Sequence, residues 1–333
     1  MSPFDLDVDT VDERTARALL TVISPPGPAA VTGAWVSARG PIEALRLALG
    51  SERVDMHELW EVDYWRTTIR ERVTQLGVAD AFSAACEPDA RVLIPSDPQW
   101  PTGLDDLGHW APVALWAEGS TDLLAAPYTD RVAIVGRQAA TEYGLVVAQQ
   151  LAGKLSDRGL QVVSGGAHGI DTEAHRGAFV AGGATIIVMA GSLETPFPPS
   201  NMDLFHRIRD NGGVLLTETP PGILASNTGA RARHRITAAL SGGVVAIEAR
   251  DRSDIPDACE EALALGRPLG AVPGPVTSAT SAASNGLVAR GQAVLVANAD
   301  DVTRMLRHSA RSEAQHDASA RSQRPSPPHD PPL

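Results

Sequence analysis

The feature that most constrains the fold is a regular alternation of short apolar runs and helical stretches that begins at residue 131. Each run is nearly continuous in apolar residues and ends in glycine or a polar residue: RVAIVG, LQVVSGG, ATIIVMAG, GGVLLTETP, GGVVAIEA, RPLGAVPG and QAVLV. Such runs are typical of strands buried on both faces, and the intervening stretches have the length of crossover helices. The sequence therefore predicts an α/β fold with a doubly wound, mostly parallel sheet.

Composition divides the chain into four predicted segments. Residues 1–50 read as short helices and form a small helical module of the SAM-like or helix-hairpin-helix-like kind. Residues 51–128 form a connecting extension that holds five of the six tryptophans. Residues 129–306 form the sheet domain. Residues 307–333 lack apolar periodicity and are rich in Ser, Pro, Ala and Arg, which predicts a disordered tail.

Charge and cysteine content limit the classes of function. The net charge of -12 argues against a protein that coats nucleic acid with its whole surface, but it leaves room for a local basic groove. Cys86 and Cys259 are the only cysteines and have no CxxC partner, so we expect neither a disulfide framework nor a zinc site. The acidic N-terminus and the lack of an apolar run of ~18 residues predict a cytoplasmic protein without a membrane span.

Glycines stand where the predicted strands end. Gly136 follows the first run, and Gly165, Gly166 and Gly169 follow the second within VVSGGAHGID. Ligands of parallel sheets bind beyond the carboxyl ends of the strands, and bare backbone before a helix N-terminus suits an anion. These turns therefore predict a phosphate site. Neither turn reads G-x-G-x-x-G and no Walker loop occurs, which argues against a dinucleotide enzyme and an ATPase.

A basic cluster, RARHR, follows the fourth run. We expect Arg231, Arg233, His234 and Arg235 to stand just before or in the first turn of a helix. Cations are unfavourable at a helix N-terminus. Their position near the predicted ligand edge therefore favours an anionic partner over a solvated basic face.

Candidate catalytic residues are few. Asp171 and His175 lie four residues apart without a nearby nucleophile, which favours a helix cap and a hydrogen-bonded structural histidine. Glu218 and Glu248 are interpreted as polar ends of strands, and Cys259 as a small buried residue. The sequence predicts no catalytic site, no metal and no cofactor.

The chain resembles a known family, the DNA processing protein A (DprA or Smf) family of bacteria. The resemblance covers about residues 90–305. It rests on RVAIVG at 131, YG at 143, VVSGGAHGIDTEAHRGA at 162, PPSN at 198, TETPPG at 217, RHRITAALS at 233 and AVPGPVT at 271.

The resemblance implies a Rossmann-like domain that binds single-stranded DNA in natural transformation and loads the RecA recombinase. It assigns phosphate binding to Gly165, Gly166, His168, Gly169, Arg233 and Arg235, and extends it to the first turn, Gly136 and Arg137, and to Asn285. It also implies a homodimer paired through the sheet domain. Base stacking is expected to matter less than in other single-strand binders, because the sheet domain offers only Tyr143, Phe179, Phe197 and Phe205.

Departures from the family pattern keep two alternatives open. RDRSDIPDA places Asp254 and Pro256 where small residues are expected, which weakens phosphate binding at that turn. One alternative is a nucleotide-processing enzyme of the phosphoribohydrolase type, since GGAHGIDTE places Glu173 near the glycine turn. The other is a diverged scaffold that senses a nucleotide or binds only a protein.

Overall fold

A nine-stranded sheet forms the centre of the computed structural model, which describes residues 8–24, 30–50, 59–76, 91–250 and 257–309. The strands are β1 (Arg91–Leu93), β2 (Leu115–Gly119), β3 (Arg131–Gly136), β4 (Gln161–Gly165), β5 (Thr185–Val188), β6 (Val214–Thr217), β7 (Val244–Ile247), β8 (Leu269–Ala271) and β9 (Val294–Leu295). Their spatial order is β1-β2-β6-β5-β4-β3-β7-β8-β9.

Strands β3 to β9 are mutually parallel, and each of the seven predicted apolar runs forms one of them. The predicted doubly wound, mostly parallel sheet is therefore confirmed. Strands β1 and β2 add antiparallel pairs at the β6 side. They come from the predicted 51–128 extension, for which no strand was expected.

Helices cover both faces of this sheet. They are α1 (Glu13–Ile23), α2 (Ala30–Arg39), α3 (Pro41–Leu49), α4 (Leu59–Leu76), α5 (Glu142–Ser156), α6 (Ile170–Val180), α7 (Met202–Asp210), α8 (Asn227–Ala239), α9 (Asp257–Ala264), α10 (Ala282–Ala289) and α11 (299–309). A 3-10 segment, Thr102–Trp110, precedes β2. None of the described helices combines the length and the apolar character needed to cross a membrane.

Alternate residues of the strands feed two apolar cores. Val132 and Ile134 of β3 pack with α5, α6 and α11 on one face. Ala133 and Val135 point to the other face, where α8, α9 and α10 pack. Burial on both faces explains why the sequence shows continuous apolar runs rather than alternation.

Helices α1 to α4 precede the sheet, and their separation into a small helical domain remains a prediction. Helix α1 begins after Asp12, whose carboxylate accepts a hydrogen bond of 2.7 Å from the Thr15 N–H. The Arg14 guanidinium joins this helix to the sheet region, since it donates to the Val92 carbonyl and pairs with Asp97, each at 2.6 Å. The boundaries of the four segments remain predictions.

Two predicted features lie wholly or partly outside the described residues. The altered turn with Asp254 and Pro256 falls within 251–256. Of the predicted disordered tail, residues 310–333 are outside the description, while 307–309 end α11.

The strand order reverses at β3, since β4 to β6 lie on one side of it and β7 to β9 on the other. Loops that leave neighbouring strands in opposite directions open a crevice at the carboxyl edge of the sheet. The connection from β6 to β7 crosses this point and carries α8. The crevice therefore lies among the β3 turn, the β4 turn and α8.

Candidate functional site

A cavity of about 430 Å³ occupies this crevice. We call it the rim cavity. Its described lining comprises Val135, Gly136, Arg137, Gln138, Ala139, Gly165, Ala167, Asp171, Arg231, Arg233, His234, Thr237 and Asp257. It thus brings together six residues of the predicted phosphate site, from both glycine turns and the basic cluster.

The two glycine turns are in direct backbone contact. The Ile170 N–H, at the start of α6, donates to the Arg137 carbonyl at 3.2 Å. Gly169 has φ +75°, and a Cβ there would lie 2.4 Å from the Arg137 carbonyl oxygen. Only glycine combines this backbone conformation with so close an approach, so Gly169 holds the turns together.

Arg233 lies against the second turn. A Cβ at Gly165 would be 2.5 Å from the Arg233 Cζ and 2.5 Å from the Asp171 Oδ2. The guanidinium is 3.3 Å from the Asp171 carboxylate and donates to the Val188 carbonyl at 3.4 Å. The bare backbone of Gly165 therefore makes room for a buried ion pair.

Burial dominates the electrostatics of this pair. It raises the pKa of Asp171 and lowers the pKa of Arg233, and the charge of each group opposes the shift of the other. The Arg233 Nε is buried without a hydrogen-bond partner among the described residues. Unpartnered buried donors are rare, which makes this atom a notable feature of the cavity wall.

The buried side chain of His175 contacts the backbone of the same turn. Its Nε2 is 2.8 Å from the Gly165 carbonyl and its Nδ1 is 2.7 Å from the Thr185 hydroxyl. A carbonyl only accepts, so the neutral ring carries its proton on Nε2. The Thr185 hydroxyl, which lies beside Nδ1, also lies 2.9 Å from the Val162 carbonyl and has one proton for these two acceptors. Burial lowers the pKa of His175 to about 4. The interpretation of His175 as a hydrogen-bonded structural residue agrees with this geometry.

Asp171 is not a helix cap. The N-cap of α6 is Gly169, and the Asp171 carboxylate pairs with Arg233 instead. The sequence interpretation was wrong here because the partner lies 62 positions away.

The start of α8 also differs from the prediction. The helix begins at Asn227 after Ser226, whose hydroxyl accepts from the Gly229 N–H at 3.0 Å. The basic cluster therefore lies beyond the first turn, and the argument from an unfavourable helix dipole does not apply to it. The basic cluster is linked to the site only by the position of its residues in the cavity wall.

Members of the basic cluster have different environments. Arg231 is exposed, lines the rim cavity and pairs with no carboxylate within the described part of the chain. His234 is half-buried with its Nδ1 3.8 Å from the Asp257 carboxylate. Burial lowers the pKa of His234 to about 4, which keeps the ring neutral at pH 7.

Arg235 is engaged elsewhere. Its guanidinium forms two hydrogen bonds of 2.6 Å with Glu218 and also donates to the Trp110 and Ala232 carbonyls. It lines a second, larger cavity of about 1030 Å³ between α8 and α9, and is not among the described residues of the rim cavity. Contact of Arg235 with phosphate remains a prediction and would require release from Glu218.

Three further predicted residues are not among the described lining of the rim cavity. His168 is exposed on the second turn, and Gly166 is buried beside it. Asn285 exchanges two hydrogen bonds with the Gly274 backbone, at 3.0 and 3.1 Å, and so fixes the turn after β8.

Glu248 directly follows β7 and has φ +56°. Among the described non-glycine residues, it is the one whose backbone lies in the left-handed region. Its carboxylate accepts from the Thr141 N–H at 2.8 Å, from the Thr141 hydroxyl at 2.5 Å and from the Thr280 hydroxyl at 3.2 Å. Glu248 therefore ties two separate loops to one strand end.

Sequence reasoning missed several lining residues, three of which have polar or aromatic side chains at the cavity walls. Gln138 and Asp257 line both cavities, and Trp110, which is 45% exposed, lines the larger one. Gln138 could have been found from its place beside Arg137. Asp257 and Trp110 belong to other segments, so only the tertiary fold shows their position.

Two further candidates can be placed. Glu173, on which the enzyme alternative depends, pairs with Arg176 at 2.5 Å and is not among the described residues that line either cavity. Across the described ranges, no group of three or more His, Cys, Asp or Glu side chains is arranged to hold a metal ion. Cys259 is buried, and burial raises the pKa of its thiol to about 12.

The parallel sheet, the crevice at its reversal point and the two glycine turns define a Rossmann-like α/β protein without a dinucleotide fingerprint. Comparison with known families narrows this class. Residues 91–307 match the model of the DNA recombination-mediator protein A family, and the chain belongs to that family. The predicted resemblance is confirmed.

Individual relatives agree with this assignment. A Mycobacterium tuberculosis protein named as a DNA processing protein DprA is 37% identical over 308 residues, which cover 88% of this chain and 76% of the relative. The structure of DprA from Streptococcus pneumoniae has a TM-score of 0.64 at 32% identity and covers 72% of this chain and 81% of its own. A structure from Helicobacter pylori concerns the single-stranded DNA binding mode of its DNA processing protein A. Its TM-score is 0.57 at 28% identity, with 65% and 95% of the two chains covered.

Proposed function

We propose that the rim cavity binds the phosphate backbone of single-stranded DNA, and that the protein acts by binding rather than by catalysis. One observation carries the proposal: two bare turns meet in backbone contact at the rim cavity, where the exposed Arg231 has no carboxylate partner among the described residues. Arg137 and Arg231 line the same cavity and add positive charge. Phosphates carry no sequence information, so this binding is independent of sequence.

Family membership supports the choice of ligand and the next step. The H. pylori relative binds single-stranded DNA, and the family model is described as a recombination mediator. We infer that this chain holds incoming strands in natural transformation and passes them to the recombinase RecA. The bound backbone would leave most of the bases free for pairing.

The test is the salt dependence of binding. Fluorescence anisotropy with labelled oligo-dT and a matched duplex, across a salt series, should show tighter binding to the single strand. Arg231→Ala should weaken binding and make the slope of log K against log salt shallower by about 0.7, the value for one lost phosphate contact. Arg137→Ala should behave in the same way.

Arg304→Ala is the matched control, because it removes the same charge from α11 and has a side chain 71% exposed. Arg304 lines a separate hollow with Thr129, near the amino end of β3. Equal effects of the Arg231 and Arg304 substitutions on the slope would contradict the placement of the site. Alanine at Arg233 or Arg235 is a poorer test, since both side chains are buried in ion pairs and their loss affects folding.

A further inference from the structure

A phenylalanine ring is exposed beside the second glycine turn. Phe197 is 57% exposed, although Pro196 and Pro198 on either side of it are buried. Proline fixes φ, so the two buried prolines restrict the backbone that carries the ring. The segment therefore presents an aromatic ring to solvent from a restrained backbone.

The loop that carries Phe197 is fastened to the glycine turn. The Asn201 side chain is buried, and its Nδ2 donates to the Gly166 carbonyl at 3.3 Å and to the Thr172 hydroxyl at 2.8 Å. The Thr172 hydroxyl in turn donates to the Ala167 carbonyl at 2.8 Å.

Backbone contact adds to these bonds. A Cβ at Gly166 would lie 3.3 Å from the Phe197 carbonyl oxygen. The backbone that carries the ring is consequently held close to the turn that borders the rim cavity.

The geometry points to Phe197 as a stacking platform for one nucleobase of a single strand whose phosphates lie at the rim cavity. This assignment rests on the proposed function. Every base has a π-face, so an exposed aromatic ring next to a phosphate site binds a base without reading its identity. Stacking involves no counterion release, and it therefore adds affinity without changing the salt dependence.

The experiment separates the base from the backbone. Binding of oligo-dT is compared with binding of an abasic strand of equal length, which keeps the phosphates and lacks the bases. Phe197→Ala should weaken binding of oligo-dT by about 5- to 150-fold, the range for one stacked base, and leave the abasic strand unaffected. Phe197→Trp should retain the affinity of the unmodified protein.

Leu224→Ala is the matched control, since Leu224 is an apolar side chain 69% exposed on the loop after β6 and has no π-face. Equal effects of Phe197→Ala on both strands, or the same effect from Leu224→Ala, would overturn the stacking role. So would a shallower salt slope in Phe197→Ala. If the unmodified protein does not bind oligo-dT, the proposed function is rejected as well. If the unmodified protein binds and Phe197→Ala binds equally well, only the stacking role is rejected.

Discussion

Gly165 and Arg233 depend on each other, because any side chain at position 165 would occupy the space of the guanidinium. The buried pair of Arg233 and Asp171 gives the turn a rigid support whose net charge is zero. Breaking such a pair leaves an uncompensated buried charge, which is strongly destabilising. Arg231 is exposed and contributes accessible positive charge to the rim cavity, whereas Arg233 shapes the turn.

His175 gives the protein a defined response to acid. The ring is neutral in the folded state with a pKa of about 4, whereas the unfolded chain takes up a proton near pH 6.5. Stability is therefore complete above pH 6.5 and falls as the pH drops toward 4. The loss between pH 7.5 and 5.0 should be about 2 kcal/mol from this residue.

Urea unfolding of the unmodified protein and of His175→Gln at the two pH values measures this contribution. Glutamine can also donate to Gly165, but it does not titrate. Asp171, Arg233 and His234 are present in both proteins, so their effects cancel in the difference. An identical pH dependence of the two proteins would contradict the assignment.

Among the elements, the strands β3 to β9 could be predicted because burial on both faces leaves a continuous apolar run in each. Strands β1 and β2 could not, since they are short and pair antiparallel with partners far along the chain. The start of α8 was missed for a local reason. The first three residues of the helix, Asn227, Thr228 and Gly229, are weak helix formers. The start of α8 is therefore marked only by the hydrogen bond from the Gly229 N–H to the Ser226 hydroxyl.

The site shows the same division between local and distant information. The glycine turns were predictable because each follows a strand directly. The pairing of Arg235 with Glu218 was not, although both residues were singled out, because it depends on how α8 packs against the end of β6. Sequence alone therefore indicated both glycine turns and the basic cluster at the rim cavity, but not which cations are neutralised.

Ser226 should stabilise α8 as its N-cap. Ser226→Ala removes the acceptor for the Gly229 N–H and should lower the free energy of unfolding by about 1 kcal/mol, while Ser226→Asp keeps an acceptor and should stay close to the unmodified protein. Urea unfolding followed by circular dichroism measures both. Equal stabilities of the alanine and aspartate variants would show that the cap contributes nothing.

At the scale of the whole molecule, the sheet ends at a short edge strand with apolar residues. Val294 and Leu295 of β9 are 51% and 47% exposed. Unpaired strand edges are templates for association. The homodimer predicted from the family resemblance remains a prediction, and this edge is one surface through which the sheet domain could pair.

Light scattering over a concentration series tests the dimer. Leu295→Lys should shift the protein toward monomer, because it places a charge on the apolar edge. Val180→Lys serves as control, since Val180 is 75% exposed on α6. A monomer at every concentration, or equal behaviour of the two variants, would reject pairing through β9.

Glu248 is a position at which a substitution that relieves backbone strain should not stabilise the protein. A left-handed backbone costs a non-glycine residue on the order of 1 kcal/mol, and Glu248→Gly would remove that cost. The same change would release Thr141 and Thr280 and let the two loops drift apart. The unfavourable backbone conformation of Glu248 is therefore offset by hydrogen bonds that hold two separate loops together.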